Sequence, residues 1–184
     1  MNGDAIGIPE KMVAIHERLV AVGIDHAFGG ALALAWCTQQ ARGTVDVDVN
    51  IFVTPARTDE VLAALPDGVV AGEDERRLLA RVGQSRLWWG STPVDVFLNT
   101  TEFHEGVASR VTWEPFAGTT LPFLACDDLA VFKAFFNRTR DWADLEAMRE
   151  AGTLDVPAVA GVLATFLGGD DDRIARLLSL ADRG

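Results

Sequence analysis

The chain has 184 residues, 49% of them apolar, which is enough for one compact domain with a small appended helical part and too few for two large domains. A formal net charge of -11 at pH 7 supplies no long-range attraction to a nucleic-acid backbone or an anionic membrane, so a nucleic-acid partner would need a local basic patch. Cys37 and Cys126 are far apart and too few for a disulfide framework, so both read as buried small hydrophobes in a reducing compartment.

The opening MNGDAIGIPEK lacks a basic segment followed by an apolar run, and no later apolar stretch is long enough to cross a bilayer. The expectation is a soluble, cytoplasmic protein without a membrane partner.

Pro9 suits a first helical turn, Met12, Ile15, Leu19 and Val22 recur at helical spacing, and Gly23 closes an amphipathic helix. Ile24 to Phe28 then reads as a short strand, Gly29-Gly30 as a turn, and Ala31 to Trp36 as a buried helix. Thr44 to Val53 is dominated by β-branched residues at alternate positions, which predicts a strand, and Thr54-Pro55 opens a helix to about Leu65.

After the turn Pro66-Asp67-Gly68, strands are expected at Leu78 to Val82, Arg86 to Trp89 and Pro93 to Leu98. Thr101 is placed to cap a helix through Ala108, and Val111 to Phe116 and Leu121 to Ala125 read as further strands. From Asp127 the pattern is helical to the end, with breaks near Arg138 to Arg140, Gly152 and Gly168-Gly169. No internal repeat or low-complexity tract is present.

Residues two apart on a strand share a face, so Asp46 and Asp48 stand side by side while Val45, Val47 and Val49 point the other way. Adjacent carboxylates resist ionising together, and a hard divalent cation with oxygen ligands relieves that cost, with magnesium its natural identity. Gly29-Gly30 precedes a helix, where backbone N–H groups without side chains in the way suit phosphate oxygens at the positive end of the helix dipole. A third acidic strand residue, Asp95, follows in Pro93-Val-Asp-Val-Phe.

The run Phe28-Gly-Gly-Ala-Leu-Ala-Leu followed by Arg42-Gly-Thr-Val-Asp-Val-Asp-Val resembles the signature of the DNA-polymerase-β-like nucleotidyltransferase superfamily. The later run from Asp128 through Lys133, Arg138, Asp141 and Asp144 resembles the AbiEii and MenT toxin-type branch and also small antibiotic adenylyltransferases. The resemblance covers roughly residues 24 to 148 in patches.

It implies an α/β (α+β) fold, with a mixed-sheet core over residues 1–120 and a helical C-terminal part over residues 121–184, packed as one compact unit. It implies transfer of a nucleoside monophosphate from an NTP such as ATP to an acceptor hydroxyl, with Mg2+, two ions in all, held by Asp46, Asp48 and Asp95. Asp95 would also help deprotonate the acceptor, Lys133 would contact the triphosphate alongside Gly29 and Gly30, and Asp141 or Asp144 would supply a further acidic function. Acceptors of two kinds are open, a tRNA or a small hydroxylated molecule such as an aminoglycoside, and a toxin-type protein would have a cognate antitoxin.

Plainer readings stand beside these. Asp46, Asp48 and Asp95 also suit the solvent face of edge strands, Lys133 the edge of an apolar stripe, and Asp141 and Asp144 a helix start. Arg42 is a candidate for orienting phosphate or neutralising the carboxylates, and Thr44 for holding the strand entrance, against structural roles for both. Trp88 and Trp89 point to opposite faces, with core packing favoured for each, and Asp170 to Asp172 reads as a dipole-matched helix start. Arg76, Arg77, Arg81 and Arg86 would form a basic patch if they shared a face. A non-catalytic nucleotide-binding or antitoxin-like module is the alternative function.

Overall fold

The structure is a computed structural model that describes residues 6–41 and 43–181. Among them the strands are β1 (His26–Phe28), β2 (Val47–Ile51), β3 (Val69–Val70), β4 (Gln84–Trp89), β5 (Thr92–Leu98), β6 (Thr112–Phe116) and β7 (Thr119–Phe123). The helices are α1 (Ile8–Ala21), α2 (Gly30–Thr38), α3 (Thr58–Ala64), α4 (Glu73–Val82), α5 (Glu102–Val107), α6 (Cys126–Phe136), α7 (Thr139–Glu150), α8 (Val156–Leu167) and α9 (Asp172–Ala181). This is the mixed α/β class that the sequence predicts.

The chain divides into two units. The first ends at Gly30, resumes over Gly43–Leu124, and holds every described strand; the second takes in α2 from Ala31 and the helices after Leu124.

In the first unit the strands form one mixed sheet in the order β3-β4-β5-β2-β1-β7-β6. β2 pairs parallel with β5 and antiparallel with β1, while β4 and β5 form an antiparallel hairpin. Val47, Val49, Val94, Val96 and Leu87 are all buried, whereas the alternating Asp48, Asp95 and Arg86 are not. The period-two alternation thus turns the acidic positions away from this apolar layer. Met12, Ile15 and Leu19 of α1 are fully buried, and the buried Lys11 just before them donates from Nζ to the Trp89 carbonyl (3.0 Å) and Thr92 Oγ1 (2.8 Å).

Three local expectations are corrected. Leu78 to Val82 is not a strand but the end of α4, whose first turn carries Glu73, Asp74 and Glu75 and whose cap is Gly83 at φ 72°. Leu79 is its one buried side chain, so the apolar run signals a single contact stripe and not a pleat. The strand predicted from Thr44 begins only at Val47; Val45, expected on the face opposite the carboxylates with Val47 and Val49, is 77% exposed, and Asp46 sits in the bend before β2. Of the two tryptophans, Trp89 is buried but Trp88 is exposed, which follows from the alternating burial of β4.

In the second unit α6 ends at Asn137, held at φ 59°, and Arg138 caps α7, matching the predicted break. Asp171 accepts from the Arg173 backbone N–H (2.9 Å) and side chain ahead of α9, so this acidic run does serve a helix start. Its carboxyl is held down to about 2 chiefly by the hydrogen bond from the Arg173 side chain.

Cys37 and Cys126 are joined as a disulfide with Cα atoms 5.6 Å apart, which corrects their reading as two separate hydrophobes. The sequence places them 89 residues apart, and only the fold brings them within bonding geometry. The argument from unpaired thiols for a reducing compartment therefore falls. Among the described residues no helix is long and apolar enough to cross a membrane.

His26 is buried, its Nδ1 donating to the Ile24 carbonyl (3.2 Å) and its Nε2 facing His16 Nδ1 (3.0 Å). Burial lowers the pKa of His26 and of His104 to about 4 each. Each stays neutral in the folded chain while the unfolded imidazole takes a proton below its ordinary value of 6.5. Stability is therefore present in full above that value and is lost as pH falls toward 4, by up to about 1.4 kcal/mol per pH unit for each histidine. Urea unfolding between pH 7 and pH 4 is expected to show that slope, and His26→Gln to flatten it by about one proton.

Candidate functional site

β2 and β5 run parallel with Asp48 directly opposite Asp95, and β4 brings Arg86 opposite Asp95 on the other side. Three neighbouring strands thus deliver two carboxylates and a guanidinium in one row, and the valine alternation keeps all three on the face away from the apolar layer.

Arg86 grips Asp95 with a fork, Nε to Oδ1 and Nη2 to Oδ2, both at 2.7 Å. The same Nη2 lies 3.9 Å from Asp46 Oδ2, which brings the carboxylate before β2 into the group. Hydrogen bonding to Asp95 is the main cause that raises the Arg86 pKa above its already high value, followed by the nearby negative charges of Asp95, Asp46 and Asp48. Thr44 holds Asp46 from the side: its hydroxyl donates to Asp46 Oδ1 (2.6 Å) and accepts from the Asp46 backbone N–H (3.3 Å).

The glycine pair meets this row from β1. Gly29 donates its N–H to the Asp48 carbonyl (2.9 Å), so that donor already pins the turn to β2. Gly30 has φ 58°, and a Cβ there would stand 1.9 Å from Asp48 Oδ2. The backbone conformation and the closeness of the carboxylate each require glycine.

Lys133, Asp141 and Asp144 lie in the second unit and are brought together there. Lys133 donates to Asp144 Oδ2 (2.7 Å) and lies 3.9 Å from Asp141 Oδ1, with all three side chains nearly excluded from water. Asp141 also accepts from Arg138 Nε (2.7 Å), Nη2 (3.0 Å) and backbone N–H (3.1 Å), forming the capping box of α7. Arg42 lies outside the described residues.

The donor set of Asp46, Asp48 and Asp95 is all hard oxygen, and a cation, the Arg86 guanidinium, is already accommodated against two of them, so the residues suit a divalent ion such as Mg2+. Among the described residues, however, no three carboxylate, imidazole or thiol groups are gathered closely enough to hold a metal as they stand.

Arg86 is the residue that the sequence reading placed only in a basic patch. Its signal was present: a hairpin turning at Gly90-Ser91 pairs position 86 with 95. Three of its four arginines are spent on local anions, since Arg76 pairs with Asp59 (2.7 Å), Arg77 with Asp74, and Arg86 with Asp95.

No protein-family model matches the chain, and neither does any curated protein sequence. Among solved structures it is similar to the antibiotic-resistance factor ANT(2'')-Ia, at 14% identity and a TM-score of 0.55, over 100% of this chain and 94% of that one. The fold is that of a nucleotidyltransferase. An antigenic nucleotidyltransferase-like protein from Paracoccidioides brasiliensis has the same likeness, at 14% identity and a TM-score of 0.51 over 92% of each chain. The nucleotidyltransferase fold expected from the glycine turn and the acidic strands is therefore present.

Gly30→Ala is expected to destabilise the protein by about 1–3 kcal/mol and to displace the Asp48 side chain. Gly118→Ala, also at positive φ but with open space around it, should cost only the backbone part, about 1 kcal/mol. Urea unfolding of the two variants measures the difference.

Proposed function

We propose that the protein is a metal-dependent nucleotidyltransferase that moves a nucleoside monophosphate from an NTP to a hydroxyl of a small cationic molecule of the aminoglycoside type. The observation that carries the reading is the register that sets Asp48 opposite Asp95 with Gly30 packed against the Asp48 carboxylate. Acidic strands beside a glycine turn suit the binding of a triphosphate through a shared divalent cation.

Asp46, Asp48 and Asp95 would hold the Mg2+, which when bound neutralises phosphate charge and polarises the reacting centre. Thr44 keeps Asp46 turned toward the group. Asp95 accepts the proton of the acceptor hydroxyl as its oxygen bonds to the α-phosphorus and the bond to pyrophosphate breaks. Gly30, without a side chain, leaves room for the Asp48 carboxylate and would let phosphate oxygens come close to the backbone.

For the acceptor, the net charge of -11 and the carboxylate-rich face favour a cationic small molecule over an extended anion. The pairing of Arg76, Arg77 and Arg86 with carboxylates removes most of the basic surface that a tRNA footprint would need. The likeness to an antibiotic-resistance factor supports the same direction.

Incubation of the protein with labelled NTPs, Mg2+ and a panel of amino sugars is expected to yield a nucleotidylated sugar, with turnover insensitive to moderate salt. Asp48→Asn and Asp95→Asn should each lower transfer by about 10²–10⁴-fold while leaving thermal unfolding in place. Label in tRNA would overturn the acceptor assignment. Nucleotide binding without transfer to sugar, tRNA or protein pools would point to the non-catalytic module.

A further inference from the structure

Arg86 differs from Arg57, Arg76 and Arg77 of the first unit in what it spans. Arg57, Arg76 and Arg77 each close on a carboxylate of a helical surface, Glu60, Asp59 and Asp74, whereas Arg86 straddles two of the three acidic residues of the candidate site. It is put there by backbone pairing, because the antiparallel register of β4 and β5 fixes Arg86 against Asp95 whatever rotamer the side chain takes.

The fork occupies both oxygens of Asp95 from one side. Each Asp95 oxygen gives a lone pair to the guanidinium, and a metal ion on the same carboxylate would meet the positive charge of Arg86 beside it, so the two cations compete for Asp95. Half of the Arg86 side chain is open to solvent, against 16% for Asp95, so the arginine is the partner free to leave.

We propose that Arg86 is a resident counter-cation that competes with a divalent metal ion for Asp95, keeping this carboxylate occupied until the metal displaces it. The inference rests on the metal-dependent reading above. It sets a positive charge between Asp46 and Asp95 in the nucleotide-free protein. Once off Asp95, the guanidinium keeps five donors and its positive charge beside the place where the triphosphate would lie, so it passes from a carboxylate to phosphate oxygens.

The test is Mn2+ binding to the full nucleotide-free chain, read from the EPR signal of the free ion. Arg86→Gln is expected to bind Mn2+ about tenfold more tightly than the wild type. Arg86→Lys, which keeps the charge and loses the fork, should fall between them. Arg77→Gln removes the same charge from an exposed helix pair and should change the affinity by less than about twofold. Near-UV circular dichroism checks that each variant is folded. Equal affinities for wild type and Arg86→Gln, or an equal gain in Arg77→Gln, would overturn the competition and leave the metal-dependent reading standing. Absence of Mn2+ binding in every variant, with NTP also present, would overturn both.

Discussion

Two carboxylates facing each other across a parallel strand pair are the constraint around which the first unit is arranged. Asp48 and Asp95 repel, and nothing in strand pairing alone would choose that register. The choice is made on the other side of the sheet, where Val47, Val49, Val94 and Val96 are buried. A slip of one residue would carry those valines into water and an aspartate into the core, at a cost of several kcal/mol. Apolar burial thus holds the anions together, Arg86 neutralises part of their charge, and Gly30 leaves room for the Asp48 carboxylate at the edge of the helix start.

Much of this was legible before any coordinates. The Val-Asp-Val-Asp alternation, the glycine pair and Pro93-Val-Asp95 each carry a local rule, and each rule led to the right face of the sheet for Asp48 and Asp95. What escaped was non-local or marginal. Asp46 lies one residue outside the strand because Val45 finds no cover, and nothing in the alternation warns of that. The helix over Glu73–Val82 was hidden because one buried leucine supplies its contact with the core, while its strongest signals are acidic residues at the start and Gly83 at the end. The Cys37–Cys126 bond and the Arg86–Asp95 fork depend on pairings that composition and spacing do not state, although the hairpin turn gave access to the second.

The second unit makes a separate use of charge. Lys133, Asp141, Asp144 and Arg138 form a largely buried network in which each carboxylate meets a cation, and Trp142 donates its indole N–H to Asn137 at 2.7 Å. Buried ions of this kind are tolerable because they are paired and hydrogen-bonded, and deleting one partner strands the other. The network joins the end of α6 to the start of α7, with Lys133, which the sequence singled out for triphosphate contact, also serving this join.

The most direct test of the central claim is a crystal structure with Mn2+ and a non-hydrolysable nucleoside triphosphate, with the metal located by its anomalous signal. The account predicts manganese bound by carboxylate oxygens of Asp48 and Asp95, with the phosphates beside Gly30 and the Arg86 fork opened. Manganese and nucleotide elsewhere on the protein, with Arg86 still closed on Asp95, would contradict it.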